Sequence, residues 1–415
     1  MSQLTSRGLS AKPGASRVVR RWRNAVFVIF AACGFIAASI AARIPTISLE
    51  LHLDTAQVGL LLFAIAVGSI SGLLAAGHIV ANFGAQRTIR FVFVLGAVGI
   101  ATASFGIALV GSFALSFVGL VVFGGCYGIC DVAMNLSGAA NERALGKSIM
   151  PVYHGFFSLG TIAGAGIGTI AEDLHVPLEV HITVVIVFLT VAVLVATRFL
   201  QRETPEPGAE DAHPVSTWRK RLAIWKEPRT ILIGLIVLGM AFTEGSSNDW
   251  LSYAMVHGHA TSRTVGALVY SVFVCAMTLG RLTGVRFLDR FGRVVVLRST
   301  AVLAVVGLLL FIFVPVFWVD IVGVVFWGLG ASLGFPVGMS AAADDPHTAA
   351  ARLSAVSTIG YTAFLVGPPV LGFLGSQFGI LHALLLVLVL AAMAGVASAA
   401  ARPRGPAAPA AGEAS

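Results

Sequence analysis

Long apolar runs separated by short polar segments set the rhythm of this chain. A hydrocarbon core about 30 Å thick takes about 20 mostly apolar residues to cross as helix. Runs of that length fall at 24–44, 57–81, 88–110, 113–137, 151–171 and 179–200. Six more follow at 230–254, 265–285, 295–315, 317–341, 352–375 and 379–400. The pattern predicts an all-α integral membrane protein of twelve transmembrane helices, spans 1 to 12.

Composition supports that reading over a soluble one. Hydrophobic residues make up 57% of the chain and charged residues 11%, whereas a wetted surface needs about a quarter charged residues. The 46 glycines suit closely packed membrane helices. A net charge of +8 could point to nucleic acid, but the basic residues are dispersed over loops and form no continuous face. Cys33, Cys126, Cys130 and Cys275 all sit inside apolar runs, which speaks against structural disulfides. Cys126 and Cys130 share a helix face, but no His stands near them and the adjacent Asp131 alone does not complete a set of metal ligands. No cofactor is expected.

Lys and Arg in the loops set the orientation. Residues 1–23 carry Arg7, Lys12, Arg17, Arg20, Arg21 and Arg23 with no acid. Every second loop is basic as well, at Arg87 and Arg90, Arg143 and Lys147, Arg219 to Arg221, and Arg286 to Arg298. Both termini and the central loop are therefore expected on the cytoplasmic side of a bacterial inner membrane. An organelle transit peptide would share the acid-free start, but a positive-inside anchor explains the same residues. The expected units are a tail (1–23), a six-helix bundle (24–200), a central loop (201–229), a second bundle (230–400) and a tail (401–415). In the loop, Trp218, Leu222 and Trp225 share a helical face among basic residues, the pattern of a helix lying on the cytoplasmic leaflet.

The two halves echo one another. Gly77 to Gly84 after span 2 corresponds to Asp289-Arg290-Phe291-Gly292-Arg293 after span 8. That second stretch resembles the short cytoplasmic signature of the major facilitator superfamily, and the resemblance extends over the membrane-spanning chain. In the first copy Ala81 and Asn82 replace the signature's acid and base, so the lock it implies is weaker there. Arg43-Ile44-Pro45, Asp131 to Asn135, Met150-Pro151 with His154-Gly155, and Glu244 through Trp250 resemble a YbjJ-like branch, distantly similar to fucose–proton symporters. The resemblance implies two six-helix bundles around a central cavity, proton-coupled movement of a small polar solute, and a monomer.

Charge inside a span costs about 2.5–3.5 kcal/mol on insertion scales and marks function. Asp131 in span 4 and Glu244 in span 7 are the candidate proton-coupling acids, each with a structural role as the alternative. Asn135 and Asn248 stand one turn beyond them, and His154, Tyr361 and Trp327 complete the candidate substrate contacts. Gly245 to Ser247 suggest a local break in span 7, with Asp249 and Trp250 at the outer rim. Arg281, the basic residue well inside a span, either pairs with a carboxylate or snorkels. Asp289, Arg290, Gly292 and Arg293 are candidate gating residues, and Gly367 and Pro368 are expected to kink span 11. His257 and His259 read as a solvated external pair.

These features predict a secondary active transporter working by alternating access as a proton symporter of a small polar, sugar-like solute. A drug or metabolite efflux antiporter is the alternative; span 4 lacks the Arg, and span 5 the Gly-Pro, that such antiporters carry. An enzyme is not expected, since no nucleophile–base pair or phosphate loop is present.

Overall fold

The computed structural model describes residues 13–146, 149–201, 224–344 and 349–403, and these contain helices but no strand. Span 1 is Pro13–Ala42, followed by a short helix, Ile44–Glu50. Spans 2 and 3 form one helical run, Thr55–Phe105, extended by a π-helical turn, Gly106–Val110. Spans 4, 5 and 6 are Phe113–Leu145, Met150–Asp173 and Leu178–Thr197. Span 7 is Pro228–His257, and spans 8 and 9 share the run Arg263–Phe313. Span 10 is split into Phe317–Ala331 and Gly334–Ala342; span 11 is Ala349–Phe378 and span 12 Ile380–Ala397. The expected leaflet helix lies almost wholly outside the described residues.

Ten described segments are long and apolar enough to cross a bilayer by composition alone. One of them, Thr55–Val110, has 56 residues and would be about 84 Å long if straight, too long for one crossing. Gly84 divides it. Span 5 falls outside the ten because its glycines dilute its hydropathy, yet it packs along span 1 over its length. With both counted, the spans among the described residues number twelve.

The internal repeat is exact at the level of the backbone bend. Gly84 (φ 74°, ψ 156°) divides spans 2 and 3, and Gly292 (φ 76°, ψ 167°) divides spans 8 and 9. Only glycine adopts that region without strain, which costs other residues about 1–3 kcal/mol. Gly292→Ala is expected to lose stability in that range, read as a lowered melting temperature of the detergent-solubilised protein.

The loops around the two bends differ as their sequences do. In the second half Arg293 reaches Asp344 at the end of span 10 (2.5 Å) and Ser340 (3.0 Å), and Asp344 also takes Arg229 (3.0 Å). In the first half Ala85 stands where Arg293 does. There Glu142, at the end of span 4, accepts the backbone amides of Ile149 and Met150 (2.6 and 2.7 Å) and so caps span 5. Arg290 packs over the Phe291 ring, and Asp289 has no ion pair among the described residues.

The halves meet on the face opposite the basic loops. Thr55 bonds Tyr253 (3.0 Å), Thr169 bonds Ser271 (3.1 Å), and Ser252 donates to the Ala41 carbonyl (2.9 Å). Gly59 lets span 2 touch span 11; a Cβ there would lie 2.6 Å from the Pro368 carbonyl oxygen. Glu172, at the end of span 5, is enclosed with Arg43 (2.9 Å) and Thr46 and faces Arg263 of the other half (3.6 Å). Burial presses the Arg43 guanidinium below its ordinary value, and Glu172 works against that. On the basic face no hydrogen bond or ion pair joins the halves among the described residues.

Two expectations need correction. Span 7 does not break at Gly245 to Ser247; it runs through them as one helix, which absorbs the hydroxyls of Ser246 and Ser247 on the carbonyls of Thr243 and Glu244 one turn back. The interruption lies instead in span 10, at Ser332–Leu333. The His257–His259 pair is divided: His257 is exposed and stacks on Tyr253, whereas the His259 side chain is enclosed 3.6 Å from Asp320.

Candidate functional site

Between the bundles lies a cavity of about 450 Å³, walled by spans 1, 2, 4 and 5 on one side and 7, 8 and 11 on the other. Its wall is mostly apolar, with Ala37, Ala41, Leu62, Ile65 and Phe364 among the lining residues. That is the usual composition of a small-molecule pocket, in which a few placed polar groups set orientation.

Those polar groups come from both halves. Span 4 contributes Asp131 and Tyr127, and span 7 contributes Glu244, Asn248 and Asp249. Span 8 adds Tyr270 and Arg281, and span 11 adds Tyr361. The Asn135 amide clasps Asp131, donating to its backbone carbonyl (2.8 Å) and to its carboxylate (3.2 Å). Glu244 is ion-paired with Arg281 at 2.7 Å, with side-chain exposures of 16% and 31%. Arg281 also leans on the Ser332 carbonyl at 3.4 Å. That carbonyl lies at the break in span 10, so the interruption serves the site from the neighbouring helix. Tyr270 donates to Asn248 (3.1 Å), holding the amide against the wall.

Of the residues singled out from sequence, Asp131, Glu244, Asn248, Arg281, Tyr361 and Pro368 line this cavity. Asn135 acts one turn away, through Asp131. His154 is exposed on span 5, edge-on to Phe30 at 5.2 Å, and forms no part of the wall. Gly367 faces the Phe242 ring. Trp327 cannot contact a solute in this arrangement. It is fully buried between Phe273 and Phe311 and donates to the Thr243 carbonyl (3.0 Å). Filling the core is its role, so Trp327→Ala is expected to cost about 3–5 kcal/mol of stability. Tyr361→Phe is expected to leave stability unchanged and to raise the KM for transport, checked by melting curves beside uptake kinetics.

The sequence reading missed Asp249, which it placed at the outer rim. The residue lines the cavity, and Trp250, its neighbour, is the buried one. Span 7 turns about 100° per residue, so Glu244 and Asn248 share a face that Asp249 adjoins; a helical wheel carried one step further would have found it. Tyr127 and Tyr270 gave no signal beyond their aromatic character.

The sequence profile of the Major Facilitator Superfamily matches residues 25–256 and 247–414. An uncharacterised MFS-type transporter of Yersinia pestis is 30% identical over 368 residues, covering 88% of this chain and 91% of that protein. The membrane protein MosC of Rhizobium meliloti is 27% identical over 390 residues, covering 92% and 89%. Among solved structures, the nucleoside transporter NupG superposes with a TM-score of 0.73 at 15% identity, covering 92% of this chain and 99% of that one. The fucose:proton symporter FucP of E. coli superposes with a TM-score of 0.60 at 17% identity, covering 91% and 98%. The fold and its central cavity define a multi-pass membrane transporter. The chain belongs to the Major Facilitator Superfamily.

Proposed function

We propose that this protein is a proton-coupled symporter carrying a small polar, sugar-like solute across the bacterial inner membrane by alternating access. The observation that carries the reading is the cavity itself, closed at one end by contacts between the halves and holding the Glu244–Arg281 pair opposite Asp131. A carrier must neutralise its acids differently in its two states, and a carboxylate–guanidinium pair that exchanges partners with a proton or solute does so. Asp131 and Glu244 are the coupling acids, and Asn248 and Tyr361 contact the solute. Arg293 with Asp344 steadies the loop after span 8. The basic face is the cytoplasmic one, so the described arrangement is inward-facing, and the protein works as a monomer. FucP and NupG, whose names specify a sugar and nucleosides, lend support through shared fold alone.

The test is the internal pH of proteoliposomes when sugars, sugar acids, nucleosides or lipophilic cations are added outside in turn. Acidification with a polar pool, lost in Asp131→Asn and Glu244→Gln, is the expected result. Alkalinisation with the cations would make the protein an efflux antiporter instead.

A further inference from the structure

The three carboxylates on the cavity wall differ in what holds them. Glu244 has Arg281 at 2.7 Å, and Asp131 has the Asn135 amide at 3.2 Å. Asp249 has neither: it makes no hydrogen bond and no ion pair among the described residues. Its neighbour Asn248 has taken the Tyr270 hydroxyl as its donor, so that hydroxyl is committed elsewhere.

The ionisable groups facing Asp249 are few. Span 8 presents Tyr270 and Arg281, span 11 presents Tyr361, and span 4 presents Asp131 and Tyr127 across the cavity. Spans 1, 2 and 5 give the wall no ionisable side chain. Span 10 carries Asp320, turned to His259, and span 12 carries His382, which is exposed. Arg281, the basic group on the wall, is committed to Glu244. No cation is therefore available to Asp249 from any element packed around it.

An ionised carboxylate without donor or counter-charge is the least tolerable state on an apolar wall. A proton relieves it without rearranging any helix, whereas Glu244 must first give up Arg281. We infer that Asp249 is a third proton-loading carboxylate, taking up a proton first in the inward-facing state while Asp131 and Glu244 couple its movement to the solute, with Glu244 held by Arg281 until the solute arrives. The step is simple in its balance: the carboxylate takes one proton from the cavity water and later returns it to water on the other side. The inference rests on the proton-coupled reading for its part in transport, but proton binding at Asp249 is measurable without any solute.

Infrared difference spectra of the full-length protein in lipid, recorded across a pH titration, report the carboxylic C=O stretch directly. A titrating band is expected in the wild type, lost in Asp249→Asn, displaced in Asp249→Glu and kept in Glu244→Gln. Retention in Asp249→Asn, or loss in Glu244→Gln, would overturn the assignment; the Asp249→Glu spectrum guards against misfolding of the amide variant. Absence of coupled acidification in wild-type proteoliposomes would sink the symport reading separately, leaving the infrared result to decide which acid binds the proton.

Discussion

Arg281→Met is expected to be more damaging to the folded protein than Arg281→Met combined with Glu244→Gln. The single change leaves Glu244 as an uncompensated charge on an apolar wall. Breaking a fully buried pair costs about 3–5 kcal/mol. Glu244 and Arg281 retain 16% and 31% exposure, and water in the cavity reduces that to about 1–3 kcal/mol. The double variant removes both charges and is expected to regain most of the loss in melting temperature. Coupling behaves differently, because a neutral pair has nothing to exchange: the double variant should fold like the wild type yet move no proton with its solute. A double-mutant cycle, with melting temperature and internal pH as the two readouts, separates the contributions. If the double variant still acidifies the vesicles, the pair is structural only.

What the sequence disclosed about this site follows from where its signals were local. Spans were legible because crossing a hydrocarbon core demands a run of apolar residues, a property of consecutive positions. The bend at Gly292 was legible because its flanking charges form a compact motif, and the matching bend at Gly84 followed from the repeat although its charges are gone. Asp131 and Glu244 stood out as acids inside apolar runs. Asn135, the partner of Asp131, stands one turn along the same helix and was legible too; the partner of Glu244 was not. Arg281 belongs to another helix, and whether it pairs or snorkels depends on packing that no single span reveals. Span 7 misled for a similar reason: Gly245-Ser246-Ser247 has the composition of a break, but its hydroxyls bond within the helix. Span 10 breaks one turn ahead of Pro336, whose missing N–H leaves the Ser332 carbonyl to Arg281, a signal the sequence reading passed over. Trp327 shows the same limit, since an aromatic residue facing a core and one facing a cavity look alike in sequence.

The closed end of the cavity leads to the second large effect. Glu172 binds two guanidinium groups: Arg43 of its own half, with both side chains 2% exposed, and Arg263 of the other half, which is 37% exposed. Of these ion pairs only the second spans the halves, and it must break, together with the hydrogen bonds of Thr55, Thr169 and Ser252, for this end to open. Arg263→Gln is expected to raise the accessibility of this end about threefold, as fits a half-exposed pair worth about 0.6 kcal/mol, with no change in melting temperature. Glu172→Gln should raise accessibility as well, and it should also destabilise the first half by about 3–5 kcal/mol because Arg43 is left buried without its partner. A cysteine in place of Tyr253, at the closing contact with Thr55, reports the change through its rate of reaction with a membrane-impermeant maleimide. Equal labelling in wild type and Arg263→Gln would show that the apolar contacts around Gly59 close this end without help from charge.

Alternating access driven by protons is the central claim, and reciprocal motion of the two ends tests it most directly. Spin-label pairs at Phe83 and Phe291 on the basic face, and at Leu174 and Phe378 on the opposite face, occupy exposed positions in both halves. With the four native cysteines replaced, pulsed electron resonance gives both distance distributions in lipid at acidic and alkaline pH. The account predicts that the populations shift with pH in opposite senses, the first pair closing as the second opens. Distances that stay fixed, or that change together, would contradict it.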